Sequence, residues 1–453
     1  MLNLAILRLY KFQSILVLFS LLFYWVFVYD LVRSDSVKLI VLYSGLFLLF
    51  YKLIQLGKHN LKLLTWLAFV FRAVFILAIP NLSQDFYRFI WDGRILLEGI
   101  NPYLHTVEAF ITSNEFPVAQ TKELYAGMGT LNASHYTNYP PLKQMCFAIA
   151  GILAGKHILG SVIVMRLLII AADFGTLFFG KKLLKKLNIP IHHIFWYILN
   201  PFIIIELTGN LHFEGVMVFF LIWSLYLLHI DKWKWAAVIF ALSVSVKLIP
   251  LLFLPLFLQK LGWKKSLGFY TIIGLVTVIL FAPFYSLTFI NNYAETIGLW
   301  FNNFEFNASL YYIAREIGYL FRGYNEIAII GTYTALIMFL FVIALALFGK
   351  NKTTIQLITT MLIAISFYYF TATTVHPWYV ATLILLSVFT NYKFPLIWSY
   401  VIILSYLAYS NNNNQENYWI IGLEYIVVYS VFIWEVFIKK PKSLSIDNVI
   451  KNN

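Results

Sequence analysis

Apolar runs of about 20 residues recur along the whole chain, from residue 12 to residue 438. A run of that length can cross a hydrocarbon core of about 30 Å as a single α-helix. A globular core can bury roughly three or four such runs, but it cannot bury about a dozen. Transmembrane β-strands would alternate polar and apolar residues over about ten positions, and the runs show no such alternation. The sequence therefore predicts an all-α polytopic membrane protein.

Basic residues between the runs predict the orientation of the helices. Charged residues are only 12% of the chain, yet its net charge is +13. Segments such as KKLLKK at 181–186 and KKPK at 439–442 are typical of cytoplasmic loops, because lysine and arginine accumulate on that side of the membrane. We therefore assign the charge to membrane topology and predict no nucleic-acid partner. The one cysteine, Cys146, excludes an internal disulfide.

With both termini in the cytoplasm, the chain would form about twelve full crossings in one membrane domain. We expect this domain to comprise residues 1–440 and a cytoplasmic tail to comprise residues 441–453. Two long loops, 81–140 and 285–326, would then lie outside the membrane. The first of these is the largest polar segment of the chain.

Two apolar stretches, 141–160 and 236–259, do not fit as full crossings, because counting them so would place basic segments outside. We predict re-entrant or interfacial half-helices there, with Lys247 at a break in the second stretch. Backbone that does not span is tolerated at membrane depth only where protein or a water-filled cavity surrounds it. The sequence leaves the arrangement of both stretches in the membrane open.

The first outer loop begins with SQDFYRFIWDGRILLEGINPY at 83–103, which gathers charge in an otherwise apolar chain. Helical spacing places Asp85, Arg88 and Asp92 near one face and apolar side chains on the other. This pattern predicts an amphipathic helix that lies along the membrane interface with its apolar side in lipid. A carboxylate beside a partly apolar cleft has a raised pKa, which suits a general base. The stretch is therefore a candidate catalytic loop.

Further polar residues collect at the predicted outer ends of the helices. Lys247 stands apart from them, because a cation inside an apolar run costs about 2.5–3.5 kcal/mol on insertion scales. Such a lysine is a functional candidate, and snorkelling of its ammonium to the interface is the alternative. The outer polar residues are Tyr139, Asn210, His212, Glu214, Glu305, Asn307, His376 and Trp378.

The motifs and their order resemble a known enzyme family. The first outer loop follows the pattern D-x-x-R-[FY]-x-W-D-G-x-x-x-x-x-G-x-N-P-Y, and N-Y-P-P-L comes later in the same loop. The chain is similar to membrane-embedded glycosyltransferases of the GT-C fold, above all bacterial polyprenol-phosphomannose-dependent mannosyltransferases and, more distantly, the first mannosyltransferase of GPI-anchor synthesis. Four more segments carry the resemblance, LNPFIIIELTGNLHFEG at 199–215, VKLIPLLFLPL at 246–256, FNNFEFNASLYY at 301–312 and TVHPWY at 374–379.

This resemblance implies roles for individual residues. Asp85 matches the family's catalytic aspartate, the base for the acceptor hydroxyl, and Asp92 is the weaker candidate, expected to orient the loop. Lys247, His376 and Arg88 are expected to bind the donor phosphate. The other outer polar residues are expected to bind sugar or acceptor, or to support the loop.

The resemblance also bears on metals and cofactors. Close family members need no metal, and the chain has neither an Asp-x-Asp pair nor a His-x-x-x-His sequence. The two-residue spacing of His212 and Glu214 is a weak metal signal on its own. We therefore predict no metal and no cofactor.

The implied function is transfer of a hexose, with mannose favoured, from a polyprenyl phosphate to a hydroxyl of a glycolipid or glycan outside the membrane. The anomeric centre would be inverted. The expected setting is the bacterial inner membrane, with the active site outside and membrane lipids as partners. Two alternatives stay open, a lipid-linked oligosaccharide flippase or transporter and an oligosaccharide polymerase or ligase. Transporters often contain inverted repeats, and the first-loop motif has no second copy.

Overall fold

The computed structural model describes residues 4–411 and 413–439, which fold almost wholly as helices. Within those ranges, the only β-type pairing is an isolated parallel bridge between Phe306 and Thr374. The predicted all-α class is confirmed, while the predicted tail at 441–453 lies outside the described residues. The α-helices are α1 Leu4–Tyr29, α2 Ser36–Gly57, α3 Leu61–Ala73, α4 Asp85–Leu97, α5 Val107–Thr112, α6 Thr121–Ala133, α7 Pro141–Ala154, α8 Ile158–Lys186, α9 Phe195–Ile198, α10 Pro201–Ile203, α11 Glu214–His229, α12 Trp233–Val246, α13 Phe257–Phe281, α14 Leu287–Asn302, α15 Leu310–Arg322, α16 Ile327–Phe348, α17 Thr354–Thr371, α18 Val380–Ser387, α19 Phe394–Val401 and α20 Tyr418–Ile433.

Short 3₁₀ and π segments join several of these α-helices. Proline is the first or second residue of six of the described helical segments, because it lacks the backbone N–H that an α-helix needs in its interior. The 3₁₀ segments are Ile191–Ile194, Ile249–Leu256, Ala282–Phe284, Pro377–Tyr379 and Ile402–Ser410, and the π segments are Ile204–Gly209 and Trp434–Ile438.

Seven helical stretches in the described part of the chain are long and apolar enough to cross a membrane. A pair bent by 49°, Ile191–Ile198 with Pro201–Gly209, would raise the number to eight. Five other apolar helices have only 10–17 residues, and even 17 residues rise only about 26 Å. The polytopic architecture is confirmed, but the predicted number of about twelve full crossings is not. The seven stretches are Lys11–Tyr29, Ser36–Gly57, Ile158–Lys186, Ile249–Phe284, Ile327–Phe348, Thr354–Thr371 and Tyr418–Ile438.

The stretch 236–259 breaks at the lysine that the sequence singled out. Helix α12 ends at Val246, and Lys247 has an extended backbone with φ −156° and ψ 140°. A 3₁₀ segment follows, Ile249–Leu256, with prolines at its second and seventh positions. This confirms the predicted break at Lys247.

The chain also folds back at Gly262, inside the stretch that is apolar enough to span. Gly262 has φ +72°, a conformation that glycine adopts without strain. The Tyr270 hydroxyl donates a hydrogen bond of 3.0 Å to the Leu254 carbonyl. Residues 16 apart would be about 24 Å apart in a straight helix, so Ile249–Phe284 is two segments that pack against each other.

Buried arginines hold the irregular backbone in place. Arg166 of α8 donates to the carbonyls of Thr208 and Gly209 at 2.8 Å and to those of Ile76 and Ala78 at 3.0 and 2.7 Å. Thr208 and Gly209 end a π segment, and Ile76 and Ala78 follow the end of α3, so these carbonyls lack regular helical partners. Arg166 thereby fixes the two stretches of chain that lead into the first-loop helix and into the segment 210–214.

A second buried arginine ties α8 to α3. Asp173 of α8 pairs with Arg72 of α3 at 2.7 Å, and both side chains are fully buried. Arg166 and Asp173, seven residues apart on one helix, are therefore each bound to a neighbouring segment instead of to each other. An ion pair inside the protein is costly to break, because the partner left behind stays charged and buried.

Candidate active site

Asp85 is the first residue of α4, and its carboxylate is available to a ligand. The Asp85 backbone N–H donates to the Ser83 hydroxyl at 3.3 Å. None of the described residues donates a hydrogen bond to the carboxylate itself. Burial raises the pKa of Asp85, the neighbouring charge of Lys143 lowers it, and that of Glu214 raises it. A half-buried carboxylate with a raised pKa is suited to accept a proton.

Helix α4 lies inside the protein, so the prediction that its apolar side faces lipid is wrong. Phe86 and Phe89 are 1% exposed, and Ile90 is 2% exposed. Gly93 allows the close approach of α7, because a Cβ at this position would lie 2.3 Å from the Phe147 carbonyl oxygen. Periodicity alone does not distinguish a helix covered by lipid from one covered by other helices.

Arg88 and Asp92 form a buried network behind Asp85. Arg88 Nε lies 2.8 Å from an oxygen of Asp92, and Gln144 Nε2 donates to the other oxygen at 3.0 Å. Arg88 also donates to the carbonyls of Asn132 and His135. Because its guanidinium is 2% exposed and bound to protein, Arg88 is placed to support the loop and not to meet a phosphate. The expectation that Asp92 orients the loop fits this geometry.

Lys143 is a central residue that the sequence argument missed. Its ammonium lies 4.0 Å from the centre of the Tyr139 ring and 4.6 Å from that of Phe89. Within the described part of the chain, it forms no hydrogen bond and no ion pair, although it is only 7% exposed. Aromatic faces attract a cation without neutralising it, and burial lowers the pKa of Lys143 to about 8, so its ammonium is mostly charged at pH 7. Its position directly after N-Y-P-P-L was the available signal.

Lys247 and Glu214 belong to the same site as Asp85 and Lys143. The Lys247 ammonium pairs with a Glu214 oxygen and lies 4.1 Å above the centre of the Tyr379 ring. The Glu214 side chain is 4% exposed, whereas that of Lys247 is 30% exposed. Both lysines act on the carboxyl of Asp85 through their charges. The site therefore combines two cations with two carboxylates. Glu214 is paired with Lys247, whereas no described residue forms an ion pair with Asp85.

Two histidines stack on the faces of Trp378. The ring centres of His212 and Trp378 are 3.7 Å apart, and those of His376 and Trp378 are 4.5 Å apart. Burial, with the charges of Lys247 and Arg33, lowers the pKa of His376 to about 3. Burial also holds the pKa of His212 well below its usual value. Both rings are therefore neutral at pH 7 and can donate one hydrogen bond each.

Arg33 is a second residue that the sequence argument missed. Its guanidinium carbon lies 3.1 Å from the centre of the Tyr409 ring, and its charge acts on Asp85 and His376. Arg33 follows the first span, in a loop predicted to be outside. A basic residue there departs from the usual distribution of positive charge, and that departure was the signal.

Asn210 supports the site from a distance. Its side-chain oxygen accepts a hydrogen bond of 3.2 Å from the backbone N–H of Leu82. This bond ties the segment 210–214 to the residues just before α4. Asn210 thus fits the expected role of loop support.

Glu305 and Asn307 lie in a separate network on the second long loop. Glu305 pairs with Arg315 at 2.5 Å and accepts from Asn325 at 2.6 Å. Asn307 donates from its backbone to Glu416 at 2.6 Å and from its side chain to Glu424 at 3.2 Å. The bridge between Phe306 and Thr374 links this loop to the segment that carries His376 and Trp378. These contacts make both residues structural supports of that segment.

The described residues contain no group of three metal-ligating side chains close enough to share an ion. Glu214, one of the two residues with metal-like spacing, pairs with Lys247. His212 Nε2 instead lies 3.7 Å from an oxygen of Glu206. The chemistry that this arrangement can supply is proton acceptance by Asp85 and anion binding by Lys143 and Lys247.

Comparison with known proteins identifies the family. Residues 20–261 match the family described as alpha-(1->6)-mannopyranosyltransferase, N-terminal domain. The matched region covers more than half of the 453 residues and includes Asp85, Lys143, His212, Glu214 and Lys247.

A curated relative agrees with this match. The chain is 21% identical over 150 residues to alpha-(1->6)-mannopyranosyltransferase A of Mycobacterium tuberculosis. The alignment covers 33% of this chain and 27% of that protein, so the chain spans about a quarter of the relative's length. The family confirms the resemblance that the outer-loop motifs carry. This chain belongs to the alpha-(1->6)-mannopyranosyltransferase family.

Proposed function

We propose that the protein is a glycosyltransferase that moves a mannosyl residue from a polyprenyl phosphate to a hydroxyl of a glycolipid or glycan. The observation that carries this proposal is the open carboxylate of Asp85 beside the two cations Lys143 and Lys247. A sugar phosphate needs a base for the incoming hydroxyl and positive charge for the departing phosphate. The family match supports the sugar and the reaction class.

In the proposed reaction, Asp85 takes the proton of the acceptor hydroxyl as its oxygen attacks the anomeric carbon. The bond between that carbon and the phosphate oxygen breaks, and the phosphate leaves with the electron pair. Lys247 and Lys143 stabilise the negative charge that collects on it. Because the hydroxyl attacks opposite the leaving group, the anomeric centre is inverted.

The stacked rings of His212, Trp378 and His376 complete the proposed site. His212 Nε2 forms no hydrogen bond with the described residues, and its neutral imidazole can donate one to a sugar hydroxyl or a phosphate oxygen. Neutral rings add no positive charge, so the lysines carry the electrostatic part. We place the site on the outer side of a bacterial inner membrane, where the acceptor glycan lies.

A direct assay tests the proposed reaction. Purified protein is incubated with polyprenyl-phosphate mannose, glucose or galactose, and the release of polyprenyl phosphate is followed with a glycolipid acceptor. We expect acceptor-dependent turnover of the mannosyl donor, and we expect it to survive EDTA. Turnover that vanishes with EDTA and returns with magnesium or manganese would make His212 and Glu214 metal ligands. No turnover of any of the donors would refute the proposal.

The pH profile tests Asp85 as the base. Burial raises the pKa of Asp85, and the charge of Lys143 opposes that rise. Lys143→Met should therefore move the acidic limb of kcat to higher pH, because the base works only when deprotonated. Glu214→Gln removes a charge that raises the pKa of Asp85, so it should move the limb to lower pH. If the acidic limb of kcat lay at the same pH in both variants, another group would be the base.

A further inference from the structure

Helix α15, in the second long loop, turns an apolar face away from the rest of the protein. Leu320 is 84% exposed and Phe321 is 82% exposed. Ile313 and Ile317 are exposed as well, and the four positions follow the i, i+4, i+7, i+8 spacing of one helical face. Large apolar side chains that are gathered and exposed in this way mark a surface for an apolar partner.

The other side of α15 is fixed to the protein by buried and polar contacts. Tyr311 and Tyr312 are buried, and Arg315 pairs with Glu305 at 2.5 Å. The Tyr312 hydroxyl also donates a hydrogen bond to Glu416. Because these contacts hold the helix in one orientation, it does not roll its apolar face into the core.

The apolar face lies beside a helix that is apolar enough to cross a membrane. Helix α16 begins four residues after α15 ends, and most of it is not buried within the protein. Its side chain Ile330 packs against α15 at Gly318, while Ile329 and Tyr333 in its first two turns are exposed. In a protein that crosses a membrane, exposed apolar surface on such a helix is in contact with lipid. The exposed face of α15 continues that surface.

The borders of the apolar face are typical of a helix at a membrane surface. Tyr319 and Tyr324 are exposed, and so is the Arg322 side chain. Tyrosine is enriched where lipid headgroups meet the hydrocarbon, and the long arginine side chain keeps its charge in water while its stem lies on apolar surface. The 13 residues of α15 rise only about 20 Å, so the helix suits the plane of the interface and not a crossing.

The second long loop connects α15 to the candidate active site. Glu305, which binds α15, directly precedes Phe306. The Phe306 backbone N–H donates to the Thr373 carbonyl at 3.1 Å, and the Val375 N–H donates to the Phe306 carbonyl at 2.8 Å. Val375 is followed by His376. The position of α15 therefore bears on the segment that carries the stacked rings.

We propose that α15 lies along the membrane surface at the end of α16 near the candidate site, with its apolar face among the acyl chains of that leaflet. This is the interfacial role that the sequence assigned to α4. Contact with the bilayer holds the second long loop against the segment of His376 and Trp378, so the membrane helps to order the site. The inference concerns lipid and does not depend on which donor the protein uses.

Fluorescence quenching tests the position of α15. Phe321→Cys and Asn413→Cys are made separately in a Cys146→Ala background and labelled with an environment-sensitive dye. Asn413, an exposed residue of a polar turn, is the matched control. The proteins are placed in vesicles of phosphatidylethanolamine and phosphatidylglycerol, with or without a lipid that carries a nitroxide on its acyl chain. We expect the nitroxide to remove most of the emission at Phe321→Cys and little at Asn413→Cys.

Two results would overturn this placement. One is equal quenching of the two labels by the nitroxide lipid. The other is emission at Phe321→Cys that resists the nitroxide lipid but falls as the ratio of protein to lipid rises, which would assign the apolar face to a second copy of the chain.

Hydrogen exchange in nanodiscs of the same lipids tests the link to the site. Leu320→Glu/Phe321→Glu puts two charges on the apolar face, whereas Asn413→Glu adds a charge to the polar turn. For the double variant we expect the amides of Phe306 and Val375 to exchange faster by about tenfold, or about 1.4 kcal/mol of protection. We expect no change for Asn413→Glu. Unchanged exchange in the double variant would refute the link.

The two measurements are independent of each other and of catalysis. The quenching result does not require the double variant, so it remains decisive if that variant does not fold. Neither measurement needs a sugar donor, so a failed mannosyl assay would refute the proposed function and leave the placement of α15 standing.

Discussion

Asp85→Asn is expected to lower kcat by about 10²–10⁴-fold, the usual contribution of a general base, while donor binding is preserved. Asparagine has nearly the same size and still offers an acceptor oxygen, but it does not take up the proton of the acceptor hydroxyl. Because no described group donates to the Asp85 carboxylate, its replacement leaves no partner unsatisfied. Folding should therefore be unchanged, and the measurement is kcat together with the dissociation constant of the donor.

Asp92→Asn is the matched control in the same helix. Asp92 is 1% exposed and binds Arg88 and Gln144, so its loss should act through stability. Breaking a buried ion pair from one side costs about 3–5 kcal/mol, which should lower the yield and the melting temperature. Normal turnover of Asp85→Asn, with a folded but inactive Asp92→Asn, would mean that the base is the other carboxylate.

The contrast between these two aspartates shows what a sequence pattern reveals. Both stand on one helical face of an amphipathic segment, and the pattern alone gave them similar surroundings. The motif distinguished Asp85 from Asp92 only through the resemblance. Their different burial depends on α7, whose Gln144 is 52 residues away from Asp92 in the chain. Such partners are fixed by tertiary packing, which local spacing does not encode.

The same reason explains the reassigned arginine and the missed cations. Arg88 has the charge that a phosphate needs, but its guanidinium donates hydrogen bonds to the carbonyls of Asn132 and His135 within the loop. Lys143 and Arg33 were passed over because each is a single basic residue near an apolar run. Their importance comes from their tertiary contacts: Lys143 lies over the ring of Tyr139, and Arg33 lies over the ring of Tyr409. A single sequence does not show such contacts.

Features that depend on the local sequence alone were easier to predict. Apolar length predicted a polytopic helical protein, and the isolated charge of Lys247 marked a real break in the helix. The number of crossings was harder, because an apolar run of 14 or 16 residues such as α12 or α11 is equally compatible with membrane or protein around it. Deciding between them requires knowing which helices are neighbours.

Lys247→Met should weaken donor binding by roughly 10- to 150-fold, the worth of about 1.5–3 kcal/mol for a hydrogen bond to a charged group. Methionine keeps the length and apolar character of the lysine stem. It also leaves Glu214 buried without its partner, which would destabilise the fold on its own. The double variant Lys247→Met/Glu214→Gln removes both charges and separates the two effects.

We expect the double variant to regain the melting temperature of the unaltered protein but not its affinity for the donor. Lys232→Met, which removes an exposed lysine just before α12, should change neither quantity. Affinity for the acceptor should be much less affected than affinity for the donor, because the charge of Lys247 is directed at the phosphate. Equal losses for donor and acceptor would mean that Lys247 supports the fold of the site, and no loss would mean that its ammonium serves only Glu214. Only a selective loss of donor affinity that persists in the double variant is consistent with a phosphate site at Lys247.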